Sequence, residues 1–253
     1  MTKNYSPHIN EEKRYFNSNS KYFISLSKKD LIWQVPEKII FIDRYINPLK
    51  KWSYLDIGCG SAENIKVNLL PLMKEDDIYM GVDISEKLLK KAKKNIPTGI
   101  FINKPMGSLK FDSNKFDYIS FFGSLHHDEF PQKTLNTVSK FLKSSGFLFL
   151  REPNEKAFKK GCGASPHEGG FNPKELTGWL KQSGLEILEW HDLNTTPFHL
   201  LRKILSKVRL SKWERRRFIW KFKVNIEMLS ENFIARHTPY LKGTDMFIVS
   251  KKK

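Results

Sequence analysis

A chain of 253 residues, 40% of them hydrophobic, is long enough to bury one substantial core. No apolar run approaches the ~20 residues of a membrane-spanning helix, and the first residues lack the apolar core of a signal peptide. The two cysteines, Cys59 and Cys162, offer neither a disulfide framework nor a metal ligand set. These features predict a cytoplasmic protein made of one domain with appended pieces.

The formal net charge of +17 is unevenly distributed along the chain. Residues 201–223, called the basic segment below, contain ten Lys or Arg and one acid, Glu214, so that their net charge is +9. Aromatic residues alternate with the basic ones between 211 and 222, a pattern that suits an anionic membrane surface as well as RNA. A plain covering helix with solvated lysines fits the same pattern.

Strand and helix patterns alternate along most of the chain and predict a parallel α/β sheet. Residues 1–49 are polar and aromatic, with a helix predicted from Lys29 to about Ile46. The strands that follow are predicted at 53–57, 78–82, 100–103, 118–122, 146–150, 185–190 and 245–250. The helices are predicted at 62–73, 86–95, 132–142 and 173–183, and further helices at 198–206 and 212–230.

The first predicted strand ends in a glycine-rich turn, Gly58-Cys59-Gly60. The second strand ends in a carboxylate, Asp83, 23 residues after Gly60. In α/β sheets this combination is typical of a site for an adenosine-containing cofactor, with the glycines allowing close approach of the backbone and the carboxylate accepting from the ribose hydroxyls.

Two carboxylates favour S-adenosylmethionine (SAM) over a dinucleotide. Glu63 stands where the third glycine of the dinucleotide motif would be, at a helix N-terminus that would otherwise receive a pyrophosphate. Asp56 precedes the turn, where a carboxylate either organises the loop or attracts a cationic cofactor. SAM has no phosphate and carries an ammonium and a sulfonium, so it suits both positions.

The sequence resembles the class I SAM-dependent methyltransferases, specifically a small-molecule group whose fourth strand is followed by Leu125-His126-His127. The resemblance covers residues 50–193 and returns at 244–251. It implies a Rossmann-like seven-stranded sheet with helices on both faces. The predicted domains are an N-terminal helical cap at 1–49, the SAM-binding core at 50–193, a basic helical insertion between strands six and seven at 194–243, and the final strand at 244–253.

The resemblance also implies which residues hold the cofactor. After the third strand the family usually shows an acidic residue near the adenine, and Pro105 and Met106 stand here instead, leaving backbone and apolar contact. For Asp83 the alternative is a helix N-cap shared with Ser85. The predicted cofactor-binding residues are Asp56, Gly58, Gly60, Asp83, Ile84, Met106 and Phe122.

For a hydroxyl acceptor, methyl transfer requires proton removal as well as alignment. His126 and His127 follow the fourth strand and are predicted catalytic bases, with Glu152 after the fifth strand as a further candidate. Local packing of a histidine and a salt bridge of Glu152 are the alternatives. His167 and Glu168, in a glycine-rich loop, are predicted to contact the acceptor, with a flexible surface loop as the alternative and no metal ligand role for His167.

The predicted function is methyl transfer to a small-molecule, lipid-linked or sugar-linked metabolite. A nucleic-acid methyltransferase or binder that uses the basic segment is the less favoured alternative, because an Asn/Asp-Pro-Pro-Tyr/Phe/Trp motif after strand four and a Pro-Cys motif are absent from the sequence. A SAM-binding protein without transfer activity is a third reading. The predicted partners are a small-molecule acceptor and, through residues 201–223, the surface of an anionic membrane.

Overall fold

The computed structural model describes residues 5–30, 44–47, 49–155, 169–193 and 245–253. These residues form seven strands, six α-helices and three short 3-10 turns. The strands are β1 (Ser53–Ile57), β2 (Ile78–Asp83), β3 (Ile100–Asn103), β4 (Phe116–Phe122), β5 (Leu142–Pro153), β6 (Leu185–Leu193) and β7 (Asp245–Lys252). The helices are α1 (Pro7–Ser18), α2 (Ser20–Asp30), α3 (Glu63–Asn68), α4 (Glu86–Asn95), α5 (Pro131–Phe141) and α6 (Pro173–Gln182).

The strands form one sheet in the order β3-β2-β1-β4-β5-β7-β6. Strands β1 to β5 run parallel, and β7 is antiparallel to both of its neighbours. The chain order reverses between β1 and β4, which is where open α/β sheets bind their ligands. The Rossmann-like seven-stranded fold is therefore confirmed, and the predicted insertion at 194–243 lies outside the described residues.

Helices cover both faces of the sheet. Successive side chains of a strand point to opposite faces, so a strand that is buried throughout contributes to a core on each face. All five residues of β1 are buried. Leu55 and Ile57 belong to a core shared with α5 and α6, whereas Tyr54 belongs to a second core shared with α3 and α4. Each face thus packs against helices, as the resemblance implied.

Three predicted elements differ from the observed ones by three or more residues at one end. The helix predicted at 62–73 ends at Asn68 and is followed by a 3-10 turn, Leu70–Leu72, because Pro71 lacks the N–H that would continue it. Strand β5 starts earlier and ends later than predicted, so that Glu152 lies within it, paired with Met246, rather than after it. Strand β6 likewise extends beyond the predicted residue 190 to Leu193.

The N-terminal region contains two helices, α1 and α2, that were not predicted from the sequence. Helix α1 begins after Ser6, whose side chain accepts from the backbone N–H of Ile9, and Pro7 occupies the first turn. Lys29 and Asp30 belong to the end of α2, and residues 31–43 of the helix predicted from Lys29 lie outside the described residues. Within the described ranges, no helix has the length and apolar character needed to cross a bilayer.

Candidate active site

A cavity of about 230 Å³ lies at the carboxyl ends of the central strands. Its walls come from the turn after β1, the end of β2, the 3-10 turn after β3 and the residues that follow β4. Helices α1 and α2 also contribute to the wall of the cavity, through His8, Ile9, Glu12, Phe16 and Phe23. Of the predicted cofactor residues, six line this cavity: Gly58, Gly60, Asp83, Ile84, Met106 and Phe122.

Glycine is required at the two positions of the turn for different structural reasons. Gly58 has a positive φ of 74°, and a Cβ there would lie 2.2 Å from Cβ of Ser124. Gly60 also has a positive φ, 55°, but a Cβ on it would meet no described atom within 4 Å. Packing against Ser124 therefore requires glycine at position 58, where the sequence had suggested that the cofactor does. At Gly60, in contrast, the space beside the backbone is open.

Asp83 holds the turn and the next helix together. Its carboxylate accepts 2.8 Å hydrogen bonds from the backbone N–H groups of Gly60 and Ser85. Ser85, and not Asp83, is the N-cap of α4, since its hydroxyl accepts from the N–H of Leu88. Burial raises the pKa of Asp83 to about 6, and the two backbone hydrogen bonds oppose that rise.

Helix α1 is held over the cavity by polar contacts at both of its ends. Near its start, Nε2 of His8 lies 2.9 Å from the backbone oxygen of His127. Near its end, the side-chain oxygen of Asn17 accepts from the hydroxyl of Ser85, at 2.9 Å, and from the N–H of Lys87. The helix is thus connected to the loops after β4 and β2, which are two of the loops that carry predicted site residues.

The cavity fits a cationic cofactor with an amino-acid part. The side-chain oxygens of Ser61 and Asn64 line it, are buried, and have no hydrogen-bond partner within the ranges described above. Carboxylates of Glu12, Asp83 and Asp128 also face the cavity. Unpartnered acceptors and negative charge suit the ammonium and sulfonium of SAM.

Asp56 is separated from the cavity by its own hydrogen bonds. Its two carboxylate oxygens accept from the hydroxyls of Ser120, at 2.7 Å, and Tyr79, at 3.0 Å. Among the described residues that line the cavity, Asp56 is not found. Of its two predicted roles, the structure supports organisation of the strand end.

His126 and Glu152 form a pair beneath the loop that follows β4. Nδ1 of His126 is 2.7 Å from Oε2 of Glu152, and the other carboxylate oxygen accepts from the N–H groups of Ser124 and Leu125. Glu152 is only 1% exposed. The described residues that line the cavity do not include either member of this pair.

His127 is the predicted base that does line the cavity. Its ring packs edge-on against Phe16 of α1, and its Nδ1 is 3.5 Å from Oε2 of Glu12. Burial lowers the pKa of His127, and the nearby Glu12 carboxylate opposes that shift. The neutral imidazole that results at pH 7 is the form that accepts a proton.

Several site residues were missed from the sequence. Ser61 and Asn64 follow the glycine turn. Their position at the start of the helix after β1 was the sequence feature that could have indicated them. Glu12 and Phe16 belong to a polar and aromatic stretch whose position over the cavity depends on packing of α1. His167 and Glu168 lie outside the described residues, and their contact with the acceptor stays a prediction.

A family model described as a methyltransferase domain matches residues 49–191. That span is more than half of the chain, and the chain belongs to this methyltransferase-domain family. The Leu-His-His subgroup stays a prediction.

Individual proteins agree with the family match. The chain is 27% identical over 185 residues to a Coxiella burnetii ubiquinone biosynthesis O-methyltransferase, covering 66% of this chain and 76% of that protein. A Thermotoga maritima SAM-dependent methyltransferase superposes with a TM-score of 0.61 at 14% identity, covering 95% of this chain and 99% of the other. A Haemonchus contortus phosphoethanolamine N-methyltransferase, solved with S-adenosylhomocysteine, gives 0.61 at 15% identity, covering 95% and 59%.

Fold, cavity and family together define the protein as a class I SAM-dependent methyltransferase. Its cofactor is S-adenosylmethionine, as predicted from the glycine turn and Asp83. The prediction of an enzyme is likewise confirmed.

Proposed function

We propose that this enzyme methylates a hydroxyl group of a small molecule and that His127 removes the hydroxyl proton. The observation that carries the proposal is the position of His127 in the wall of the cofactor cavity, next to the residues that follow β4. The name of the Coxiella burnetii relative, a ubiquinone biosynthesis O-methyltransferase, supports oxygen as the acceptor atom.

The lining of the cavity suits an acceptor with apolar or aromatic character. Phe16 and Phe23 of the covering helices present their rings to it, and Phe122 lies at the end of β4. Such rings bind flat apolar groups and exclude water from the reacting atoms. We therefore favour a phenolic or similarly apolar hydroxyl compound over a highly charged acceptor.

The chain's own residues have three tasks in this reaction. Bound SAM supplies an already electrophilic methyl group, so the protein must align the acceptor, exclude water and accept a proton. Asp83 and the turn residues position the cofactor, and α1 covers the site. His127, neutral because burial lowers its pKa, accepts the proton of the acceptor hydroxyl.

Transfer of a radiolabelled methyl group from SAM to catechol, histamine and dithiothreitol tests the choice of a hydroxyl over an amine or a thiol. We expect catechol to be labelled preferentially, and His127→Gln to lower that rate ~10²- to 10⁴-fold with little change in S-adenosylhomocysteine affinity. His191→Gln, on β6, is the matched control. Preferential labelling of the amine, or an active His127→Gln variant, would contradict the proposal.

We also propose that the basic segment docks on anionic lipid and so gives access to lipid-linked acceptors. Ten basic residues against one acid support this, since each basic residue near an anionic surface contributes ~1 kcal/mol. Replacing Arg215, Arg216 and Arg217 by Glu should abolish sedimentation with phosphatidylserine vesicles. A structured RNA at equal charge concentration should compete poorly, and preferential RNA binding would favour the nucleic-acid alternative.

A further inference from the structure

We infer that Glu12, carried into the site by α1, is a positioning residue that holds the His127 imidazole with its proton on Nδ1 and its Nε2 available as the base. The inference deepens the proposed function and rests on it. The two histidines are adjacent in sequence, but each lies near a different carboxylate. This difference assigns them different roles.

Each histidine of the 3-10 turn Leu125–His127 has its own carboxylate. His126 meets Glu152 of β5, at 2.7 Å, and His127 meets Glu12 of α1, at 3.5 Å. The centroids of the two rings are 4.0 Å apart. Because the His126 pair is absent from the described cavity lining while His127 and Glu12 both belong to it, the second pair is the one placed for chemistry.

The surroundings of His127 leave Glu12 as the group that sets its tautomer. Nδ1 of His127 is buried and, within the described part of the chain, has no hydrogen-bond partner, while Oε2 of Glu12 lies 3.5 Å from it. The side chain of His127 is nevertheless 17% exposed, and the buried Nδ1 contributes almost none of that exposed area. A carboxylate on one side of an imidazole fixes the proton there and frees the opposite nitrogen.

At 3.5 Å, Nδ1 of His127 and Oε2 of Glu12 are just beyond ordinary hydrogen-bond length. Catalytic hydrogen bonds are often long before substrate binds and shorten in the complex. Glu12 is 3% exposed, and the helix that carries it is fixed at both ends, by His8 on the backbone oxygen of His127 and by Asn17 on Ser85. Closure of α1 by a few tenths of an ångström would therefore bring the pair within hydrogen-bond distance.

The proton balance of the step is simple. The O–H bond of the acceptor breaks and an N–H bond forms at Nε2 of His127. The electron pair left on oxygen bonds to the methyl group that bound SAM would supply, whose bond to the sulfonium sulfur breaks with its electron pair left on sulfur, giving S-adenosylhomocysteine. The imidazolium carries one positive charge, which the Glu12 carboxylate stabilises from the Nδ1 side until the proton leaves to water.

Other titratable groups lie near the His127 ring or line the same cavity. His8 comes from α1, His126 from the same turn, Glu152 from β5 and Asp128 from the loop that follows. Burial lowers the pKa of His127, the His126 ring adds to that shift, and Glu12 and Glu152 oppose it. Removing the charge of Glu12 should therefore lower the pKa of His127 further.

The test is ¹⁵N NMR of the histidine rings in the full-length protein, with the His127 signal assigned from its absence in His127→Gln. We expect the Nδ1–H tautomer in the wild type. Glu12→Gln, which keeps an acceptor but loses the charge, should retain that tautomer and lower the pKa of His127 measurably. Glu12→Met should shift the ring toward Nε2–H, and Glu11→Gln, an exposed neighbour on α1, should change neither.

An Nε2–H tautomer in the wild type would overturn the inference, as would a His127 signal that both Glu12 substitutions leave unchanged. S-adenosylhomocysteine titrated into the same samples reports separately on the proposed function. If it does not bind, the methyl-transfer proposal fails whatever the tautomer; if it binds while the tautomer is wrong, only the role of Glu12 fails.

Discussion

Nδ1 of His126 lies 2.7 Å from Oε2 of Glu152, and the same carboxylate accepts hydrogen bonds from the backbone N–H groups of Ser124 and Leu125. Glu152 thus holds the first turn of the loop after β4 onto β5. Because this loop also carries His127, the pair fixes the base candidate relative to the sheet. We assign a supporting role to His126 and Glu152 on this ground.

The first prediction concerns stability. Glu152→Gln replaces a carboxylate, which only accepts hydrogen bonds, by an amide. The NH2 group of that amide would be buried next to N–H donors or next to His126 and would be poorly paired. We expect the free energy of unfolding to fall by about 1–3 kcal/mol. Urea denaturation measures the change, and the exposed Glu75→Gln is the matched control. A loss within the error of that control would show that the carboxylate does not hold the loop.

The second prediction separates the two glycines. Gly58→Ala adds a Cβ that overlaps Ser124 and forces a positive φ on alanine, so it should destabilise by at least about 2 kcal/mol. Gly60→Ala has only the strain of its φ, and should cost about 1 kcal/mol. Thermal denaturation of both variants checks the order. Equal losses would mean that the packing against Ser124 is not rigid.

The third prediction concerns the covering helix. Asn17→Ala removes the acceptor that receives hydrogen bonds from Ser85 and Lys87, at a cost of about 1 kcal/mol to the closed position of α1. Amide hydrogen exchange of residues 7–18 should then become about fivefold faster, with β1 unchanged. Asn10→Ala, whose side chain bonds to Tyr5 within the same region, is the control. Uniform acceleration throughout the core would instead indicate global destabilisation.

The fourth prediction is a pH dependence of cofactor binding. The pKa of Asp83 is raised to about 6. If Asp83 binds the ribose hydroxyls as we predict, the ionised carboxylate is the form that accepts from them. One pH unit below that value about one-tenth of the group is ionised, so SAM affinity should weaken up to ~10-fold between pH 7 and pH 5. Calorimetric titrations of the wild type and Asp83→Asn at both pH values measure this. An equal pH dependence in both proteins would assign it to another group.

The stability effect of the same carboxyl has the opposite sign. Its ordinary pKa of 3.8 is raised in the native state, so between pH 3.8 and about 6 the folded protein binds more protons than the unfolded chain. The stability contributed by this group is complete below the lower value and is lost as the pH rises through about 6. The fold alone therefore disfavours the ionised form of Asp83, which is the form that our prediction requires for cofactor binding.

Local patterns were sufficient to predict the sheet, and six of the residues that they assigned to the cofactor line one cavity. Helix α4 was predicted with its observed bounds, because Ser85 caps it and its apolar residues recur on one face. Gly58, Gly60 and Asp83 were found because a turn between a buried strand and a helix restricts residue types strongly. These features depend on neighbours within a few residues or on one known spacing.

The division of labour among the acid–base candidates depends on tertiary packing and was not predicted. His126 and His127 are equivalent in sequence, and only the placement of Glu152 on β5 and Glu12 on α1 separates them. Glu12 stands in a polar stretch that is typical of a solvated helix face. Its burial follows from contacts with residues more than 100 positions away, which no local pattern encodes.

Calorimetric titration with SAM, S-adenosylhomocysteine and NAD tests the central claim most directly. We predict micromolar binding of both SAM and S-adenosylhomocysteine, no heat from NAD, and about 10- to 150-fold weaker SAM binding by Asp83→Ala, equivalent to the loss of charge-assisted hydrogen bonds worth about 1.5–3 kcal/mol. The exposed Asp112→Ala should bind like the wild type. A wild-type protein that binds no SAM, or that binds NAD more tightly, would contradict the account.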